Sequence, residues 1–321
     1  MKEELDIFDK KILFELDIDS RISASKIAKK LKLPKETVNY RIKRLEKNGW
    51  INRFYTIVNA SLFGYSYYQV LLKFDKINSS VETKIVDYIT SNPTCANLRI
   101  LEGHYDLVFL TIQKNPGELK AFLQCFFNNY SKYIQEKNVL IVMKTYKLNQ
   151  KFLFEGKTIK RTFNHVEIKD QTLDKIDLGI INAISINARI KLSEIASKLK
   201  LDSRLIDYHI KRMERLGLIV AYTTDLNLVK LNMELIKVDI ALKDPTLIPR
   251  IIDFFDKTNT CIFIYELLGT YDLSVELYVK NDEMVSYIFK KFKEKFLESY
   301  VYYDLAHVYK KYVINWSPFH V

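Results

Sequence analysis

Along the first fifty residues the apolar positions recur every three or four residues. Ile7, Phe8, Ile12, Leu13 and Leu16 share one face of a helix of about a dozen residues. Ser23 or Ser25 suits the N-cap of a short second helix, Lys26 to Leu31, with Ile27, Ala28 and Leu31 inward. Leu33-Pro34 breaks the pattern, and Pro34 is expected in the first turn of a third helix, where its missing N–H costs nothing. That helix buries Val38, Ile42 and Leu45 and stops at Gly49. Ile51 and Tyr55 to Val58 then read as a strand pair or wing. Three short helices with a tight turn before the third make a helix-turn-helix.

Beyond Gly64 the alternation shifts toward strands. Tyr67 to Phe74 predicts a strand, Ser80 to Thr90 a helix, and Thr94 to Glu102 and Tyr105 to Gln113 two strands around the Gly103-His104 turn. Pro116 to Tyr130 predicts a second helix and Val139 to Leu148 a fourth strand. The order β-α-β-β-α-β gives a four-stranded antiparallel sheet with two helices on one face, the ferredoxin-like arrangement. Its other face, rich in aromatic residues, needs a partner.

The whole pattern then repeats. Leu5 to Ile51 aligns without a gap on Leu173 to Ile219, with roughly 20 of about 47 positions identical. The second sheet unit follows as Leu235 to Leu242, Leu247 to Lys257, Cys261 to Leu268, Tyr271 to Val279, Asp282 to Phe296 and Tyr300 to Ile314. The expected fold class is α+β, two winged helix-turn-helix domains and two ferredoxin-like domains in tandem. The boundaries fall at 1–63, 64–150, a linker at 151–171, then 172–231 and 232–321. The two open sheet faces could bury each other. The linker is mixed in composition, part strand and part hinge; its Lys157, Lys160 and Arg161 are candidate phosphate contacts, although a solvated loop accounts for them as well.

Charge changes the picture at the third helix. The chain carries a formal +11, which by itself only suggests an anionic partner. From Lys26 to Lys47, however, roughly nine basic side chains face two acidic ones. With Val38, Ile42 and Leu45 inward, Lys35, Thr37, Asn39, Tyr40, Lys43, Arg44 and Lys47 stand where a duplex would lie. Asn39 and Tyr40 are placed to reach base edges, Lys43, Arg44 and Lys47 to reach phosphates. In the second copy Ser203, Arg204, Tyr208, Lys211 and Arg212 are the matching candidates. There Asp202, Asp207 and Glu214 dilute the charge, so the second helix is either a reader of different base preference or a packing element whose DNA contacts have lapsed.

No apolar run approaches the roughly 18 residues of a membrane span, and Met1 to Asp6 lacks a signal-peptide core, which points to the cytoplasm. Cys95, Cys125 and Cys261 show no metal or redox spacing; Cys95 and Cys261 occupy matching places and read as buried small residues.

The string Leu-x-Leu-Pro-Lys-Glu-Thr-Val-Asn-Tyr-Arg-Ile-Lys-Arg-Leu-Glu-Lys-Asn-Gly-Trp-Ile, from Leu31 to Ile51, resembles the Lrp/AsnC family of bacterial and archaeal transcription factors. So does the Gly-x-Tyr-Asp turn after the second sheet strand. The resemblance covers nearly the whole chain, twice over. It implies a sequence-specific DNA-binding regulator, a sensing domain that dimerises sheet to sheet, and a small effector such as an amino acid bound near that turn. The matching residues are Gly103, His104, Tyr105 and Asp106, then Gly269, Thr270, Tyr271 and Asp272. Double-stranded DNA is the expected partner, with a homo-oligomer formed through the sheets. Tandem fusion departs from the family pattern and puts a symmetric palindrome in doubt.

An enzyme on a similar scaffold is the main alternative, because siroheme decarboxylase subunits resemble the same regulators. That chemistry needs positioned His and Arg side chains, and Arg99 with His104 is the one cluster to consider. His165, His209, His307 and His320 are scattered without metal-ligand spacing. With eight glycines and no phosphate-binding or nucleophile motif, no catalytic residue, metal or cofactor is expected.

Overall fold

The computed structural model describes residues 4–156, 159–166, 172–313 and 315–319; Lys157, Ile314 and His320 lie outside the described residues. The first helical unit comprises α1 (Ile7–Ile18), α2 (Ala24–Leu31), α3 (Lys35–Lys47) and β1 (Ile51–Val58). The first sheet unit follows as β2 (Ser66–Phe74), α4 (Ser79–Ser91), β3 (Cys95–Glu102), β4 (Leu107–Gln113), α5 (Pro116–Tyr130) and β5 (Ile134–Leu148). In the connecting segment lies β6 (Lys160–Asn164). The second copy runs α6 (Lys175–Ile186), α7 (Leu192–Leu199), α8 (Ser203–Leu216), β7 (Ile219–Leu226), β8 (Glu234–Leu242), α9 (Ile248–Asp256), β9 (Cys261–Leu268), β10 (Leu273–Val279), α10 (Asp282–Phe296) and β11 (Tyr300–Val313).

Local chemistry explains where these elements start and stop. Asp6 caps α1 by accepting from the Asp9 N–H, and Asp9 returns the bond, a capping box that Asp174 and Asp177 repeat on α6. Ser23 caps α2, which begins two residues earlier than expected. Pro34 sits at the N-cap of α3, with ψ near 142°, not in its first turn as the sequence suggested. An extended residue there still leaves the helix all its own bonds. Strand β5 starts five residues earlier than expected. Its opening stretch Gln135-Glu-Lys-Asn138 is polar because one edge and face meet solvent, which hides the strand from a hydrophobicity pattern.

The wing is the main departure. In place of a local strand pair, β1 pairs antiparallel with β7 of the other copy, and Tyr55 stands opposite Thr223, its own counterpart. The pseudo-twofold axis relating the copies therefore passes through that pair. Arg21 confirms the relation by donating to the Ala188 and Ile190 carbonyls, while Arg189 donates to those of Ser20 and Ile22.

The sheets also join. Each has the ferredoxin-like order, β5-β2-β4-β3 and β11-β8-β10-β9, and they meet along two seams, β3 with β11 and β9 with β5. The result is a closed eight-stranded barrel, with β6 added beyond it on the far end of β5. The open faces do bury each other, as the sequence suggested, but edge bonding closes the ring as well. Sheet surface that another chain would have used is consumed within this one. Helices α4 and α5 pack on the outside of the first sheet through Ile85, Ile89 and Phe126, and α9 and α10 on the second through Ile252, Phe255 and Phe292. No helix among the described residues is long and apolar enough to cross a membrane.

Candidate nucleic-acid interface

The third helix of each copy is held from behind by a buried carboxylate. Asp9, fully buried on α1, accepts from Arg41 at 2.8 Å and Arg44 at 2.6 Å, and Arg41 also reaches Asp6 at 2.6 Å. Burial works to raise the Asp6 carboxyl, but the Asp9 N–H and the Arg41 guanidinium override it and hold the group below its ordinary value. In the second copy Asp177 is clamped by His209 at 2.8 Å and Arg212 at 3.0 Å. A charged clamp with hydrogen bonds on both oxygens fixes the rotation of the helix about its axis.

That rotation sets what faces outward. Lys35, Asn39, Tyr40, Lys43 and Lys47 are exposed along α3, with Tyr40 at 64%. Thr37 is half-buried. Arg44, which the sequence placed among the phosphate contacts, is spent partly on Asp9 and only half-exposed. On α8, Arg204, Tyr208 and Lys211 are exposed, while Ser203 and Arg212 are half-buried. Lys211 is tied to Asp207 at 2.6 Å, one turn earlier on the same helix.

The eight turn residues assigned to an effector lie where the two sheets meet. A Cβ on Gly103 would approach that of Ala306 in β11 to 2.8 Å, so only glycine lets the turn abut the seam. Tyr105 reaches across to β5, donating to Glu136 at 2.6 Å and accepting from Asn138 at 3.3 Å. Tyr271 makes the converse reach from the other seam to Asp304 in β11. Both rings are buried, and both hydroxyls are pushed up by burial and by the carboxylate they serve, Tyr105 to about 12. Asp106 and Asp272 accept the Phe74 and Leu242 N–H groups at 2.7 Å each. His104 lies 3.3 Å from Glu136, and Thr270 donates to Asn138 at 3.3 Å.

Several ties were not read from the sequence. Asp17 accepts from Lys147, Gln150 and Thr223, joining α1 to the barrel and to the second wing strand. Burial draws the Lys147 ammonium below its ordinary value against the pull of Asp17. Lys311 of β11 pairs with Asp225 of β7. Inside the barrel Arg99 crosses to Glu276 at 2.8 Å, both buried. The duplicated Leu-Asp-x-x-Asp carried a signal for the clamps, and the duplicated Arg21-Ile22 and Arg189-Ile190 a signal for the bonds between copies; Asp17 and Arg99 have no equivalent in the other copy, where Ser185 and Tyr265 stand. In the linker, Lys160 lies 3.8 Å from Asp253 and Arg161 donates to the Ile18 carbonyl.

This geometry defines a class: a fused pair of winged helix-turn-helix units, related by a pseudo-twofold axis, on a closed barrel of ferredoxin-like sheets. A family model described as winged helix-turn-helix DNA-binding matches residues 5–52 and 173–220. The HTH-type transcriptional regulator FL11 of Pyrococcus furiosus is 32% identical over 147 residues, an alignment that takes in 95% of the relative but 46% of this chain. One relative thus corresponds in length to one half of this protein. Among solved structures, the siroheme decarboxylase NirDL covers 97% of the chain, and 93% of its own, with a TM-score of 0.64 at 12% identity, a likeness of fold alone. E. coli AsnC covers 44% at 18% identity, TM-score 0.38. The chain belongs to the Lrp/AsnC family of helix-turn-helix transcriptional regulators.

Proposed function

We propose that one chain of this protein binds double-stranded DNA as a pseudo-dimer, with α3 and α8 entering major grooves on one side of the duplex. The observation that supports this most is the exposed face of α3, where Asn39, Tyr40, Lys43 and Lys47 stand clear of the protein while the clamp on Asp9 holds the helix rigid. Lys43 and Lys47 meet phosphates, and Asn39 and Tyr40 meet base edges. Titration of a bound operator with salt tests this. Lys43→Ala and Lys47→Ala should each lower the slope of log K against log salt by roughly 0.9; unchanged slopes would overturn it.

The barrel is the sensing module. The turns at 103–106 and 269–272 each sit on a seam, so a small effector such as an amino acid bound there would favour one setting of the seam over another. Asp17–Lys147 and Asp225–Lys311 carry such a change to the helical units. Association beyond one chain would use the outer helical faces.

Catalysis of the siroheme decarboxylase kind is the second reading, favoured by the whole-chain fold likeness. Against it, the interior between the sheets is filled by buried Arg99, Glu276, Lys237, Tyr265 and Tyr278. His104, His209 and His307 lie against carboxylates, and His165 is bonded to Thr145. We therefore read the protein as a regulator without catalytic activity. Adding an iron tetrapyrrole should leave its absorbance spectrum unshifted; a stoichiometric shift would favour the enzyme.

A further inference from the structure

Resting on the DNA-binding reading above, we infer that this chain recognises a non-palindromic operator in one fixed orientation, with Asn39 and Asp207 telling the two half-sites apart. The pseudo-twofold axis through Tyr55 and Thr223 relates α3 to α8, so the half-sites lie inverted, as for a homodimer. The faces presented are not alike. Lys35, Glu36 and Asn39 on α3 become Ser203, Arg204 and Asp207 on α8, while Tyr40 and Lys43 recur as Tyr208 and Lys211.

The decisive position is the one held by Asn39 and Asp207. An exposed asparagine both donates and accepts, which matches N6 and N7 of adenine. A carboxylate only accepts. It suits the N4 amino group of cytosine and is repelled by the two acceptors of guanine. Lys211 holds Asp207 at 2.6 Å, which directs that carboxylate while spending part of the lysine charge. The first half-site accordingly carries adenine, and the second carries cytosine at the symmetric place.

Fixed orientation follows from the interior of the barrel. Arg99 of the first sheet pairs with Glu276 of the second. Their counterparts are Tyr265 and Leu110, so joining two first halves would face a buried Arg99 with leucine, and joining two second halves would face Glu276 with tyrosine. Either leaves an uncompensated buried charge. The chain therefore always presents one reader of each kind, and the barrel acquires a defined left and right on the duplex.

Selection of bound sequences from random duplexes, with the full chain at constant salt, tests this. The expected motif has two unlike arms, adenine in one and cytosine in the other, and replacing either base should weaken binding roughly 5- to 100-fold. Asp207→Asn should make the arms converge on adenine, and Asn39→Asp should make them converge on cytosine. A palindromic motif, or arms that neither variant alters, would overturn the inference and leave DNA binding standing. Duplex binding without an enriched motif would overturn the inference alone, whereas no retention of any duplex would overturn the DNA-binding reading and the inference with it.

Discussion

The two helical units share an apolar frame and differ in how their polar parts are used. Ile12, Val38, Ile42 and Leu45 in the first match Ile180, Ile206, Ile210 and Met213 in the second, all buried. Around that frame, Asp9 is clamped by two arginines, Asp177 by one arginine and one histidine. Asp17 anchors the first unit to the barrel through Lys147, whereas Ser185, its counterpart, has a buried hydroxyl without a partner. Packing tolerates little change, since a lost methylene is felt at once, whereas a polar tie can be gained or lost in one copy alone. The first unit is thus tied to the barrel from its first helix, by Asp17 and Lys147, and the second from its wing, by Asp225 and Lys311.

The largest effect should come from removing that anchor. Asp17→Ala leaves the Lys147 ammonium buried and uncompensated and should cost about 3–5 kcal/mol in denaturant unfolding. Ser185→Ala removes a buried hydroxyl that has no partner and should leave stability unchanged or raise it by about 1 kcal/mol. Equal losses would mean the units are anchored alike. Next, Glu276→Leu installs the residue of the other copy and should cost about 3 kcal/mol by stranding Arg99. Adding Arg99→Tyr should recover part of that loss; a double variant worse than either single would show that the pair does not set the match between sheets.

Smaller effects separate clamp from contact on α3. Arg44→Ala should lower stability by about 1–2 kcal/mol, because Asp9 loses one of its two arginine partners, whereas Lys43→Ala should leave unfolding unchanged and weaken only DNA binding. Finally, burial holds His165 neutral, down to about 3, against Tyr67 and Phe163 beside β6. An unfolded histidine takes up a proton near pH 6.5. Between these values the unfolded chain binds more protons, so stability falls as pH drops through that window. At pH 5.5 the loss relative to pH 7.5 should be about 1 kcal/mol, and His165→Phe should abolish this contribution; an unaltered pH dependence would place the imidazole elsewhere.

Much of this was legible from residues alone. The periodicity of Ile7 to Leu16, the break at Leu33-Pro34 and the stop at Gly49 mark the helices because local sterics and capping set them. The outward basic face of α3 follows from the same periodicity. Arg44 was legible as a charge but not as a clamp, since its partner Asp9 lies 35 positions away. The wing misled for a related reason: β1 has strand-forming residues, yet nothing local says that its partner is β7.

What the sequence determined by itself is the element order, the duplication and the character of the reading helix, because these rest on contacts a few residues apart. Tertiary structure alone decided that the sheets close into a barrel, that Asp17 and Arg99 find Lys147 and Glu276, and that unlike halves face each other. Those pairings join residues 130 or more positions apart, where many partners are sterically possible and only the packed fold selects one.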